Sequence, residues 1–197
     1  MARHDMAVNP RVANQTVAAD RLEVGRRLIA LAGGAPEGCM IAAAHARLTP
    51  SDSAMLAGLF ERLSPDSLYR RFFTPAVKLH QFQSAILSSD RYEREAIAAL
   101  EHGEIIGVAQ YSREPGSRRA DMAIVVADAW QRHGVGTRLV AALADVAAAN
   151  GIDAFGFSIQ LDNDRALKLL GRLSPGLRLM PVGGGVGEGS ISLDQLR

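Results

Sequence analysis

The sequence predicts one α/β domain built on a mixed, mostly antiparallel central sheet flanked by helices. Three observations carry that expectation. Two helix starts with the same grammar stand early in the chain, three β-type runs joined by short turns occupy its middle, and a strand–helix–strand–helix–strand alternation closes it. With 197 residues, 48% of them hydrophobic, the chain can bury a sizeable core without disulfides.

Residues 1 to about 17 are polar and non-periodic. From Asp20, apolar positions at Leu22, Val24, Leu28, Ile29 and Leu31 describe an amphipathic helix that stops at Gly33-Gly34. Residues 1–38 therefore read as an N-terminal extension with one helix, and residues 39–197 as the domain proper. Met40 to Ala46 reads as its first strand. Thr49-Pro50-Ser51-Asp52 supplies a capping hydroxyl, a proline at the first helical position and an acid at the third, and Ser64-Pro65-Asp66-Ser67 repeats that pattern. A weaker helix is expected around His80 to Leu87.

The period then changes. Ala96 to Leu100 and Ile105 to Tyr111 flank Glu101-His102-Gly103-Glu104 as a hairpin, and Pro115-Gly116-Ser117 turns the chain into Ala120 to Val126. Thr137 to Asn150 has an apolar helical face at Leu139, Val140, Leu143, Val146 and Ala147, with Gly151 as its stop. A strand at Ala154 to Ile159, a helix at Asn163 to Leu173 and a strand near Leu177 to Val182 follow. Gly183 to Gly189 reads as a flexible loop before a last strand at Ser190 to Leu193.

Composition narrows the function. Twenty-two basic and 21 acidic residues leave a net charge of +1, and aromatics are only 5%, which argues against a nucleic-acid partner. No apolar run is long enough to cross a bilayer, and the N-terminus lacks the apolar stretch of a secretory signal, so a soluble, cytoplasmic protein without a membrane partner is expected. The single Cys39 cannot form an internal disulfide and fits a reducing compartment. His45, His80 and His102 show no metal-ligand spacing, and no metal is expected.

Between the β-type run ending at Val126 and the apolar helix lies Gln131-Arg132-His133-Gly134-Val135-Gly136. Glycines let the backbone curl and let a ligand approach without Cβ obstruction. Successive amides then share one concavity at the positive end of a helix dipole, which suits a pyrophosphate. The competing reading is a connecting loop that uses two glycines to turn. The third glycine of the dinucleotide-binding fingerprint is absent, since Leu139 occupies its place, and so is the Walker pattern.

Gln131 to Gly136 matches the Q/R-x-x-G-x-G/A signature of the GNAT acyltransferase superfamily, directly after the expected fourth strand, and the element order resembles that family over about residues 40 to 182. Leu63 to Phe73 and Asp90 to Glu95 further resemble segments of bacterial protein lysine acetyltransferases. The resemblance implies a pyrophosphate cradle from the backbone of Arg132, His133, Gly134, Val135, Gly136 and Thr137, headed by Gln131, with acetyl-CoA as co-substrate. Its pantetheine arm would pair with main-chain groups around Ile124, Val125 and Val126 in the manner of an added strand. Asn163 matches the family asparagine beside the cofactor, while a plain helix cap explains the same residue. The His133 imidazole reads as exposed or near the adenine, and Trp130 as packing.

Acetylating an amine requires removing a proton that lysine holds with a pKa of about 10.4, at about 4 to 5 kcal/mol near neutral pH. A base within hydrogen-bond reach, directly or through water, must receive it. The thioester carbonyl also needs a donor where negative charge develops, such as an amide of the fourth strand. Asp121 sits where related lysine acetyltransferases carry a glutamate proposed as base, and a solvated strand-end acid is the alternative. Glu93, Glu95 and Glu188 are reserve candidates. Two positions depart from the family: Leu170 where many members have a tyrosine acid, and Ser174-Pro175 where an aromatic after glycine is common. The expected function is acetyl transfer from acetyl-CoA to a primary amine, by preference a protein lysine. The rivals are a small-amine acetyltransferase and a non-catalytic acyl-CoA-binding module. The oligomeric state stays open.

Overall fold

The computed structural model describes residues 43–44, 48–88, 90 and 92–196. The expected N-terminal extension, Cys39 and most of the Met40 to Ala46 strand lie outside the described residues. Within that strand, Ala43–Ala44 forms β1 and pairs antiparallel with Ala99 and Ala98.

Both proline-led starts open helices. Pro50–Asp52 makes a 3-10 turn running into α1 (Ser53–Glu61), and the Asp52 carboxylate accepts from the Thr49 N–H at 2.7 Å. In α2 (Pro65–Phe72) the Ser64 hydroxyl accepts from the Ser67 N–H at 3.2 Å, satisfying an otherwise orphaned amide. Helix α3 (Leu79–Leu87) follows. The chain then enters β2 (Arg94–Glu101), β3 (Glu104–Ser112) and β4 (Arg119–Val126), an antiparallel meander. The two central residues of its first hairpin, His102 and Gly103, have φ of 49° and 79°, the left-handed pair that a tight hairpin of this twist needs.

After a 3-10 turn at Asp128–Trp130 come α4 (Val135–Ala149), β5 (Ala154–Gln160), α5 (Asp164–Leu173), β6 (Met180–Gly183) and β7 (Val186–Ser192). The sheet runs β1-β2-β3-β4-β5-β7-β6, and β4–β5 is its parallel pair, joined by the crossover through α4. The mixed, mostly antiparallel sheet is as the sequence predicts.

Three boundaries differ. Helix α4 begins at Val135 rather than Thr137, because Gly134 serves as its N-cap. Strand β6 begins at Met180 rather than near Leu177. The expected loop at Gly183 to Gly189 shrinks to a turn at Gly184-Gly185, and Val186–Ser192 pairs along the whole of β5. The glycines of that strand answer to packing. A Cβ on Gly187 would lie 2.8 Å from Leu161 Cδ2, and one on Gly189 2.8 Å from Phe157 Cζ.

The sheet separates two apolar layers. On one face Leu139, Val140, Leu143 and Ala147 of α4 bury against Ile97, Phe155 and Ile191. On the other, Leu56 and Leu59 of α1 and Phe82 and Ile86 of α3 cover Ala96, Ala98, Val108 and Val125. Phe82 is fully buried and meets Phe60 and Phe72 edge-on at 5.5 and 5.9 Å between ring centres. Burial of such a ring contributes roughly 2 to 3 kcal/mol. The second layer covers the β1–β4 half, while Ser158, Glu188 and Ser190 on the β5–β7 half stay exposed. That division leaves a polar floor beside Asp121.

Candidate active site

The site begins where two strands part. β4 and β5 pair at Arg119↔Ala154, Ala120↔Phe155 and Asp121↔Gly156, and no further. Beyond that point β4 stays with β3 as far as Val126↔Gly107, and β5 stays with β7 as far as Gln160↔Val186. The divergence opens a cleft of about 1270 Å³, floored by both strands and walled by α2 and α5.

The wedge exposes main-chain groups. The Ala127 N–H donates to Ile106 O at 2.8 Å, so β4 is bonded to β3 through its odd-numbered residues. By strand alternation the N–H and C=O of Ile124 and Val126 turn toward the gap, whereas those of Val125 turn to β3. The Val126 carbonyl accepts from Gln131 Nε2 at 3.0 Å. Of the expected pairing residues, Ile124 and Val126 thus present polar groups where an added extended chain would bond.

The cradle lies at the head of α4. Arg132 and Gly134 adopt φ of 66° and 80°. The first α4 hydrogen bond joins the Arg138 N–H to Gly134 O at 3.2 Å. The amides of Val135, Gly136 and Thr137 come before it and have no intrahelical acceptor. Nothing lies within 4 Å of a Cβ built on Gly134, so the loop is open on that side. Gly136 has a different reason: its Cβ would come 3.3 Å from Leu169 Cδ2, and the glycine lets α4 approach α5. An open turn at a helix start, next to a strand with free main-chain groups, fits a pyrophosphate joined to an extended arm.

Gln131 is a latch within this turn. Its Nε2 donates to Ser67 Oγ at 3.2 Å and Asp128 Oδ1 at 3.0 Å, and its Oε1 accepts from Arg165 Nη1 at 2.5 Å. Asp128 also accepts from Ser67 Oγ at 2.5 Å and from the Ser64 N–H at 3.1 Å. Partial burial pushes the Asp128 carboxyl up, but the Ser67 and Ser64 hydrogen bonds and the Arg165 charge outweigh it and hold its pKa below the usual value. The start of α2 is thereby tied to the cradle. His133 Nδ1 lies 2.9 Å from Gln131 O, and its ring meets Trp130 edge-on at 6.1 Å between centres. Trp130 packs against both apolar layers.

Asp121 is exposed on the cleft floor above Gly156. A Cβ on Gly156 would stand 2.7 Å from Asp121 Oδ1, so the glycine makes room for the carboxylate. Glu188 also lines the cleft, on β7 and not on a loop, opposite Ser158. Glu93 and Glu95 are elsewhere. The Glu93 carboxylate accepts from Arg113 Nε at 2.7 Å, away from the cleft. Glu95 pairs in register with Tyr111 and Tyr111 with Met122, which puts Glu95 on the sheet face opposite Asp121, and it is buried. Asn163 caps α5, its Oδ1 accepting from the Ala166 N–H at 3.2 Å, and it lines the cleft as well.

At the departures, Leu170 is buried and lines the cleft with a side chain that has no proton to give. Ser174 donates to Gln195 Oε1 at 2.7 Å and pins the exit of α5 to the chain end. Gly156 has no signal in the sequence, and Arg71 reads there, with Arg70, as part of a solvated face, whereas the structure half-buries it in the cleft wall. Gly156 joins Asp121 only through the β4–β5 register, 35 residues later. Arg71 stacks over its neighbour Phe72, guanidinium carbon 4.6 Å from the ring centre, and burial pushes its pKa down to about 10. Among the described residues no cluster of potential metal ligands occurs, and no helix is long and apolar enough to cross a membrane.

An acetyltransferase family model, Acetyltransferase (GNAT) family, matches residues 59–174, which contain the parted strands, the cradle and Asp121. The chain belongs to that family, and as a member it is an acetyltransferase with acetyl-CoA as donor. Among solved structures, the GNAT domain of S. lividans PAT is similar at 25% identity and a TM-score of 0.68, over 75% of this chain and 88% of that one. A cAMP-binding acyltransferase from Mycobacterium smegmatis is 24% identical with a TM-score of 0.51, over 76% of this chain and 44% of that longer one. The yncA protein of Salmonella typhimurium, solved with its cofactor acetyl-CoA, shares the fold at 18% identity and a TM-score of 0.59, over 76% of this chain and 92% of that one. None of the curated proteins compared matches the sequence.

Proposed function

We propose that the chain moves the acetyl group of acetyl-CoA to the ε-amine of a protein lysine, with Asp121 as the base. The observation that carries this reading is the open cleft floor on which the Asp121 carboxylate stands exposed. A lysine side chain projecting from a larger partner needs such a broad approach to a reachable carboxylate. Likeness to the GNAT domain of S. lividans PAT, and the sequence similarity at residues 63–73 and 90–95 to lysine acetyltransferases, support the same acceptor.

In this reading the amides of Val135, Gly136 and Thr137 hold the donor's pyrophosphate, and Ile124 and Val126 align its arm. Asp121 receives the proton of the acceptor ammonium, through a water where the short side chain does not reach. The neutral nitrogen then attacks the thioester carbon as the C–S bond breaks. The β4 amide of Ile124, turned into the gap, meets the charge developing on the carbonyl oxygen. Leu170 has no proton to offer the departing thiolate, so water supplies it. Asn163 borders the cofactor while capping α5.

Mass spectrometry of lysine-bearing proteins and peptides incubated with the enzyme and acetyl-CoA tests the reading. ε-Acetyl-lysine is expected, and Asp121→Asn should lower kcat about 10² to 10⁴-fold with acetyl-CoA affinity unchanged. Transfer confined to small amines would overturn the lysine acceptor. Full activity of the Asp121→Asn protein would remove Asp121 as base.

A further inference from the structure

The charged side chains around the cleft are unevenly matched. Arg70 is neutralised, with Nε 2.9 Å from Asp66 Oδ2 and Nη1 2.8 Å from Asp162 Oδ1. Arg71, Arg119 and Arg178 line the same cleft, and their guanidinium groups have no ion pair or hydrogen bond with any described residue. Arg71 is half-buried, with an aromatic ring as its neighbour in place of a counter-ion. A cation withdrawn from water without an anion is costly, and contact with a ring recovers only part of that cost. The low pKa of its guanidinium has the same origin. Against these three unpaired cations the cleft sets two carboxylates, Asp121 and Glu188.

The donor's pyrophosphate does not account for the excess, because the amides at the head of α4 that would hold it line no part of this cleft. The three cations line the cleft that an acceptor amine must enter. Arg119 shares the space above Gly156 with Asp121, its Nη2 3.8 Å from where a Cβ would stand. Arg71 lines the same cleft from α2, and Arg178 from the connection between α5 and β6.

We infer that the acceptor is an acidic segment of another protein, a lysine with aspartate or glutamate close on either side, whose carboxylates pair with Arg71, Arg119 and Arg178. This rests on the lysine reading above and narrows it to one class of sequence. An extended segment advances about 3.3 Å per residue, so acids one to three positions from the lysine reach the cleft walls while the amine reaches Asp121.

Two measurements on the full chain test it: initial acetylation rates, and fluorescence anisotropy of labelled peptides binding in the presence of acetyl-CoA. The peptides carry one lysine flanked by Glu and Asp, or by Gln and Asn at the same positions. The acidic peptide should show a kcat/KM about tenfold higher, a gap that narrows as salt shortens the reach of the charges. Arg71→Gln and, independently, the exposed Arg178→Gln should each shrink the gap severalfold, while calorimetric affinity for acetyl-CoA is retained and reports an intact fold. Equal rates and equal binding for the two peptides would overturn the inference and leave the lysine reading standing. So would a gap that survives in both variants. Preferential, salt-sensitive binding of the acidic peptide without transfer would keep the docking surface and sink the lysine reading.

Discussion

In the turn before α4, Gly134 has φ of 80° and open space where a Cβ would go. In β7, Gly187 and Gly189 have ordinary extended backbone, and a Cβ on either would collide with Leu161 or Phe157. The first glycine is required by backbone conformation and leaves room for a ligand. The other two are required by neighbours and leave room for the protein itself. Flexibility explains neither. Gly156 is of the second kind but serves the site, since its φ is not positive and the atom its missing Cβ would strike is Asp121 Oδ1 at 2.7 Å. A glycine in this domain is therefore understood from its φ together with what stands opposite it.

Substitutions at these positions should separate the roles. The largest stability effect belongs to Gly189→Val, which overpacks the β5–β7 contact from both Phe157 and Leu179. It should destabilise the domain by about 1 to 3 kcal/mol, lowering the melting temperature by several degrees in a thermal scan. An unchanged melting temperature would return that stretch to a tolerant loop. Gly156→Ala should act on chemistry instead. With the carboxylate displaced, kcat should fall on the order of tenfold, with little change in acetyl-CoA affinity or melting temperature. A parallel loss of cofactor affinity would mean that Gly156 shapes the donor site.

The smallest effect concerns the latch that ties α2 to the cradle. The folded pKa of Asp128 is depressed, so its contribution is present above the usual carboxylate range and is lost as pH falls through the folded value. Asp128→Asn should be less stable than the parent at neutral pH, with the difference shrinking in acid. Thermal melts across pH check this, and a difference that grows in acid would contradict the latch.

The legible parts of the fold were those with local causes. Thr49-Pro50 and Ser64-Pro65 announce helices because the cap and the fixed proline φ act within one turn, and His102-Gly103 announces a hairpin because the twist needs two left-handed residues. The cradle was legible because its motif is contiguous. Strand β7 was not, since Val186-Gly187-Glu188-Gly189 has the composition of a loop and becomes a strand only against Leu161, Phe157 and Leu179. For the same reason Glu188 looked mobile. Among the acids, sequence proximity to a family-like segment could not distinguish Asp121 from Glu93 and Glu95. The register of β2, β3 and β4 sends Glu95 to the far face, and Arg113 occupies Glu93. Arg71 reads as a solvated face because the cleft it lines is closed by β4, β5 and β7, all distant in sequence.

The most direct test of the account is calorimetric titration of the protein with acetyl-CoA, beside Gly134→Asp and Gly134→Asn variants matched in size. Both residues tolerate positive φ better than most, and nothing crowds the position, so the fold should persist and only the charge differ. The account predicts saturable binding by the parent, weaker binding by the Asn form and loss on the order of 100-fold or more in the Asp form, whose carboxylate faces the pyrophosphate. Equal affinity in all three would contradict it and leave the turn before α4 as a connection and nothing more.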